Sequence, residues 1–160
     1  MSISVNLRHL EKKNVHLCGE MDVAELELEG LDELVHVPEP LAYDIEVEEL
    51  DGALLAQGSL HLKLRCECVR CLKSFTQNLD FPNWTCHMPL SGEDKVEVVN
   101  DSVDLTPHIR EDILLAFPQH PLCKAGCKGL PGAGSVQGKK GRKKADEPSS
   151  AWSELDKLKF

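Results

Sequence analysis

Two cysteine pairs restrict this chain more than any other feature. Cys68-Val-Arg-Cys71 and Cys123-Lys-Ala-Gly-Cys127 are separated by 51 residues. A C-x-x-C turn folds back tightly enough for two thiolates to converge on one ion. A C-x-x-x-C turn does the same with one more residue, and Gly126 can supply a positive φ there. Two such pairs provide the four sulfurs of a closed tetrahedral site, and soft thiolates favour zinc or iron–sulfur over magnesium or calcium. The expectation is one structural Zn2+ held by Cys68, Cys71, Cys123 and Cys127. Whatever the chain folds into must then bring these two segments together. A closed site keeps no open coordination position, so metal catalysis is disfavoured and the chain is read as a non-enzyme.

The other cysteines leave alternatives open. Cys66 is two residues before Cys68 and could compete as a ligand. Cys18 and Cys86 read as buried small hydrophobes. A thioredoxin-like pair wants its C-x-x-C at a helix N-terminus in a βαβ unit, whereas Cys68 and Cys71 fall between two strand patterns. A [4Fe–4S] cluster uses the same donors. His120, three residues before Cys123, could replace a thiolate, although a packing or exposed role suits it better. No Ser/His/Asp or Cys/His arrangement stands out. The glycines of 129–141 do not form a P-loop, because no Gly-Lys-Ser/Thr leads into a helix.

Seven cysteines matter in this way only if they stay reduced. The start of the chain, Met1-Ser-Ile-Ser-Val-Asn6, has no basic region followed by an apolar one, so secretion is not expected and a cytoplasmic location is. No apolar stretch approaches the roughly 18–20 residues of a membrane span.

Charge is unevenly spread. The net −9 conceals thirteen acidic residues and no Lys or Arg within 20–51, which leaves +4 for the rest. The cations cluster at Lys124, Lys128, Lys139, Lys140, Arg142, Lys143 and Lys144. Either charge block can be a solvated surface. Read functionally, the acidic part meets a basic protein. Arg70 and Lys73, with Arg65 nearby and Lys139, Lys140, Arg142, Lys143 and Lys144 as an arm, meet nucleic-acid phosphates. Phe75 and Trp84 could stack on bases, but a core role is expected of both.

Hydrophobic periodicity predicts an α+β chain. Ile3, Val5 and Leu7 alternate with polar residues as in a half-buried strand. Asp22 and Glu25 resemble a capping box opening a helical turn over 23–28, ended by Gly30. Strands are expected over 41–50, 54–66 and 74–88, joined by the Asp51-Gly52 turn and a turn at 68–73 into an antiparallel meander. Pro82 cannot donate to a ladder and marks a bulge or edge. Residues 91–104 read as a mobile loop or short edge strand with a weak signal at Val96 and Val98. An amphipathic helix then begins near Asp104-Leu-Thr-Pro107, with Asp104 or Thr106 as N-cap. It carries Leu105, Ile109, Ile113, Ala116 and Phe117 on one stripe and stops at Pro118. The expected organisation is a single domain over 1–130 containing the metal knuckle. A flexible, disordered basic linker over 131–150 follows, and then a short docking helix or tail over 151–160 with Trp152, Leu155 and Leu158.

Four of these segments resemble the YceD family, the large ribosomal RNA subunit accumulation proteins. They are the Cys68-Val-Arg-Cys71-Leu72 turn, the helix Asp104-Leu-Thr-Pro-His-Ile-Arg-Glu-Asp-Ile-Leu-Leu-Ala116, the segment His120-Pro-Leu-Cys-Lys-Ala-Gly-Cys-Lys-Gly-Leu130 and the closing Trp152-Ser-Glu-Leu-Asp-Lys-Leu158. The resemblance covers nearly the whole chain. It implies a bacterial or plastid factor supporting accumulation or maturation of large-subunit ribosomal RNA, with no catalytic residues to carry over. Many relatives continue with a further Cys-x-x-Cys pair where this chain has Gly129-Leu-Pro-Gly-Ala-Gly134. That puts in question which two of the later cysteines match, but four remain for one closed site. Some relatives lack the cysteines, which implies a stabilising metal rather than indispensable chemistry.

The partners so implied are a ribosomal RNA precursor or a large-subunit assembly intermediate. A basic ribosomal protein held by the acidic face is the rival within the same class. No membrane and no small-molecule substrate are expected. From a different class, Cys68 and Cys71 could serve a cytosolic thiol redox or metal-sensing protein.

Overall fold

The computed structural model describes residues 2–11 and 13–130. The linker and docking helix expected over 131–160, with Lys139, Lys140, Arg142, Lys143, Lys144 and Trp152, lie outside the described residues.

The three expected strands are present and form the spine. β4 (Leu41–Leu50), β5 (Ala53–Glu67) and β6 (Ser74–Pro89) follow β1 (Ser4–Asn6), α1 (Leu7–Leu10), β2 (Val15–Met21) and β3 (Val35–His36). β7 (Val98–Val99), β8 (Ser102–Asp104) and α2 (Thr106–Leu115) complete the described chain. All pairings are antiparallel. β5 is central: β6 lies along one edge, and β4 and then β3 share the other. β2 extends the sheet beyond β4, while β1, β8 and β7 make a separate three-stranded sheet.

Local chemistry explains the corners. Leu50 pairs with Ala53 across Asp51 and Gly52, whose φ values are +52° and +77°. This is the left-handed two-residue turn that matches strand twist, and Asp-Gly suits it. Asn100 and Asp101, at +52° and +59°, repeat the device between β7 and β8. The segment expected as a mobile loop or short edge strand thus holds a small hairpin, with its strand signal at Val98 borne out. The bulge expected near Pro82 is also present: Gly58 faces Trp84 and Leu60 faces Phe81, so β6 carries one extra residue there. Opposite it, Gly58 lets β4 come close, since a Cβ at that position would lie 2.0 Å from the Asp44 carbonyl oxygen.

Two early segments depart from expectation. The alternation of Ile3, Val5 and Leu7 continues as a strand only to Asn6. The Asn6 side chain then accepts from the Arg8 N–H and caps α1. β2 had no expected counterpart. Its Val15 and Leu17 are half-buried and its Met21 buried, while His16, Cys18 and Glu20 face outward. Cys18 is therefore exposed, not a buried small hydrophobe, because it sits on the outer side of β2 opposite Asp44. Residues 22–28 make backbone-bonded turns rather than a helix, and bury Leu26 and Leu28.

One apolar cluster joins both sheets and α2. It includes Ile3, Val5, Leu41, Ile45, Leu54, Leu60, Leu62, Leu64, Val103, Leu105, Ile109 and Ile113. Polar contacts fix the helix upon it. Asp104 Oδ1 accepts from the Thr106 N–H at 2.9 Å, and Thr106 Oγ1 accepts from the Ile3 N–H at 2.9 Å. Arg110 Nε donates to the Leu26 carbonyl at 2.9 Å. Trp84, 4% exposed, donates from Nε1 to Asp112 Oδ2 at 2.7 Å.

Candidate metal centre

The turn after β5 carries the first cysteine pair. Glu67 still pairs with Ser74, and the Cys68 N–H donates to the Lys73 carbonyl at 3.0 Å, closing the turn. Inside it the Leu72 N–H reaches the Cys68 carbonyl at 2.8 Å, with Leu72 at φ +59°. These bonds fold Cys71 back beside Cys68. The second pair follows α2, which ends at Leu115 ahead of Pro118. Past it the chain returns to the β5–β6 tip, where the Val69 N–H donates to the Pro121 carbonyl at 3.0 Å. The Cys127 N–H donates to the Lys124 carbonyl at 3.0 Å, and Arg70 Nη1 donates to the Cys127 carbonyl at 3.0 Å. The positive φ needed here falls on Gly129, at +86°, and not on Gly126.

The result is a four-sulfur cluster. The Sγ atoms of Cys68, Cys71, Cys123 and Cys127 all lie within 4.8 Å of one another. The contacts at 3.7 Å run between segments: Cys68 to Cys127, and Cys71 to Cys123. A tetrahedral ion with metal–sulfur bonds of about 2.3 Å sets its sulfurs about 3.8 Å apart, so the donor set and spacing suit zinc. Cys68, Cys71 and Cys127 are buried; Phe75, Leu122 and Cys123 pack around them. Four sulfurs in this arrangement could hold one metal ion.

The thiols are strongly unlike one another. The backbone N–H of Cys123 donates to Cys68 and outweighs its burial. Helped by the N–H groups of Cys71 and Arg70 and the Cys71 thiol, it pushes Cys68 down to about 6. Burial, then hydrogen bonds with the thiols of Cys71, Cys127 and Cys68, and then the charge of Cys127, push Cys123 up to about 12. A cation replacing the protons would remove this conflict, since Cys68, Cys71, Cys123 and Cys127 would hold it as thiolates.

The remaining cysteines stand apart. Cys66 belongs to the main apolar core, opposite Val35. Burial and then Asp32 raise its thiol. Cys86 is half-buried, raised by burial, then Asp112, then Glu111. His120 is exposed and outside the four-sulfur group. Of the residues expected to meet nucleic acid, Arg70 and Lys73 are exposed on the cysteine turn. Trp84 is buried beside α2, and Phe75 is half-buried, bridging the main core and the cysteine cluster. Lys124 and Lys128, noted in the sequence only as charge, prove to be neighbours of Lys73 along the same groove.

The family described as "Large ribosomal RNA subunit accumulation protein YceD" matches residues 56–159, a span that includes both cysteine pairs. An uncharacterized protein of Mycobacterium leprae (strain TN) is 28% identical over 100 residues, covering 57% of this chain and 46% of the relative. Uncharacterized proteins of Mycobacterium bovis and Mycobacterium tuberculosis are 26% identical over 98 residues, covering 56% of this chain and 47% of each relative. The chain thus spans about half the length of these curated relatives. No solved structure matches.

Proposed function

This chain belongs to the YceD family of large ribosomal RNA subunit accumulation proteins, and from that premise we propose that it is a cytoplasmic ribosome-biogenesis factor. It supports accumulation or maturation of large-subunit ribosomal RNA by binding RNA or a ribosomal protein, not by catalysis. One structural Zn2+, held by Cys68, Cys71, Cys123 and Cys127, clamps the β5–β6 tip to the segment that follows α2. Arg70, Lys73 and the arm Lys139, Lys140, Arg142, Lys143 and Lys144 supply phosphate contacts. The carrying observation is the family match over residues 56–159. No helix among the described residues is long and apolar enough to cross a membrane. A strain lacking the gene tests the reading: large-subunit ribosomal RNA falls relative to small-subunit RNA and recovers on complementation. An unchanged ratio overturns it.

The thiol redox or metal-sensing reading draws on the depressed Cys68 thiol. Against it, Cys68 is fully buried, and the close sulfur contacts join the two segments instead of closing a Cys68–Cys71 couple. Native mass spectrometry of protein purified without added metal separates the two. One zinc with four reduced cysteines supports the clamp, and a metal-free Cys68–Cys71 disulfide supports redox.

A further inference from the structure

Cations in this chain are scarce where it is acidic and concentrated where the sulfurs meet. Arg70, Lys73, Lys124 and Lys128 are all exposed and flank the four cysteines. Lys73, Lys124 and Lys128 line one groove of about 440 Å³ with Cys71, Cys123 and Cys127. Arg70 joins them from the turn through its bond to the Cys127 carbonyl, which engages one donor and leaves the rest of the guanidinium fork free. Among the described residues none of the four is in an ion pair, whereas Lys63 and Arg110 are met by Glu39 and Glu27. Residues 68–79 and 113–130 contain no Asp or Glu. The carboxylates Asp44, Glu46 and Glu48 occupy strand β4, opposite Ser59, Gln57 and Leu55 of β5. From Gln57 to Cys68 the chain rises by about 36 Å along β5, several Debye lengths at physiological salt. These β4 carboxylates therefore do little to screen the basic end; Glu67 and the Asp32–Glu33 segment beside Cys66 lie closer to it.

We propose that Arg70, Lys73, Lys124 and Lys128 form an RNA-phosphate-binding surface that exists only when metal joins the two cysteine segments. This rests on the ribosome-biogenesis reading and names its contact surface. Two of the cations belong to the β5–β6 turn and two to the segment after α2. The four sulfurs bring the two sets together with only the Val69–Pro121 and Arg70–Cys127 bonds beside them, so loss of the ion should separate them without disturbing the large sheet. A phosphate backbone matches point cations spread along an open groove. With four contacts, single-stranded RNA binding should fall with salt at a log–log slope of about −2.8 from this surface.

The test uses the full chain, zinc-loaded, and a transcript of large-subunit ribosomal RNA titrated from 50 to 300 mM salt. Lys124→Gln with Lys128→Gln is compared with Lys13→Gln with Lys95→Gln, which removes equal charge elsewhere. The first pair is expected to weaken binding about tenfold at 0.1 M salt and to flatten the slope by about 1.4. Its zinc content should not change. The control pair should do little. Lys73→Gln is a second probe if the first pair lowers zinc content. Stripping the metal should cost at least as much affinity as the Lys124/Lys128 pair. Equal losses from both pairs, loss confined to neutralising Lys139–Lys144, or binding that survives metal removal would each overturn the surface. Binding of a ribosomal protein in place of RNA would also overturn it, while the ribosomal RNA ratio in the deletion strain judges the broader reading separately.

Discussion

At the scale of single residues, the four-sulfur cluster holds thiols with opposed proton affinities. Cys68, at about 6, has already lost its proton at pH 7, while Cys123, at about 12, keeps its own. Zinc binding must expel whatever protons remain, so affinity falls as pH falls. Fewer than four protons should be released at pH 7, and more near pH 5.5, where Cys68 is protonated too. Calorimetry in buffers of different ionisation enthalpy reads the count. Cys66 behaves otherwise. Cys66→Ser should retain zinc by mass spectrometry yet cost about 2 kcal/mol in urea unfolding, because it puts an unpartnered hydroxyl in the core. Gly58→Ala should cost about 3 kcal/mol, since the added methyl collides with the Asp44 carbonyl of the neighbouring strand.

Between elements, the sulfur cluster and the apolar core hold different parts. β5 and β6 are joined by a long ladder and by Leu60, Leu62 and Leu64 beneath it. The segment after α2 meets the cysteine turn through the Val69–Pro121 and Arg70–Cys127 bonds and the sulfurs. Chelation should therefore release Val69 N–H to hydrogen exchange while Leu62 N–H stays protected, and a loss of protection at both would refute the division. The helix has its own ties. Trp84→Phe should cost about 1–2 kcal/mol by freeing the Asp112 carboxylate, with zinc content unchanged.

Across the whole molecule, the sheet's own core limits how much a metal bound at the four cysteines would contribute. Small zinc peptides draw of order 10 kcal/mol of folding energy from their site. Here the β4–β5–β6 core should keep the far-UV circular dichroism of a β protein after chelation. A chain ending at Leu130 should melt within about 5 °C of the full one if 1–130 is a self-sufficient domain, a boundary proposed from composition alone.

Much of this was legible along the chain because its signals are local. Asp51-Gly52 dictates a left-handed turn, Pro82 cannot donate to a ladder, and the stripe of Leu105, Ile109 and Ile113 has helical period. The cysteine spacing likewise named four residues that the structure gathers within 4.8 Å. Other features depend on partners distant in sequence. β2 has a glycine and only weak alternation, and becomes a strand because β4 offers it a free edge. The pairing of β1 with β8 joins residues about a hundred positions apart. Cys66 and Cys68 lie on the same side of a strand pattern, yet one enters the apolar core and the other the sulfur cluster. The grouping of Lys124 and Lys128 with Arg70 and Lys73 was equally invisible, because charge along a chain says nothing of which segments meet. Sequence by itself determined which residues could turn, cap, alternate or bind metal, since those follow from each residue's own chemistry and its near neighbours. Tertiary structure alone decided which edges paired and which cations shared a surface, because both depend on contacts made across the folded chain.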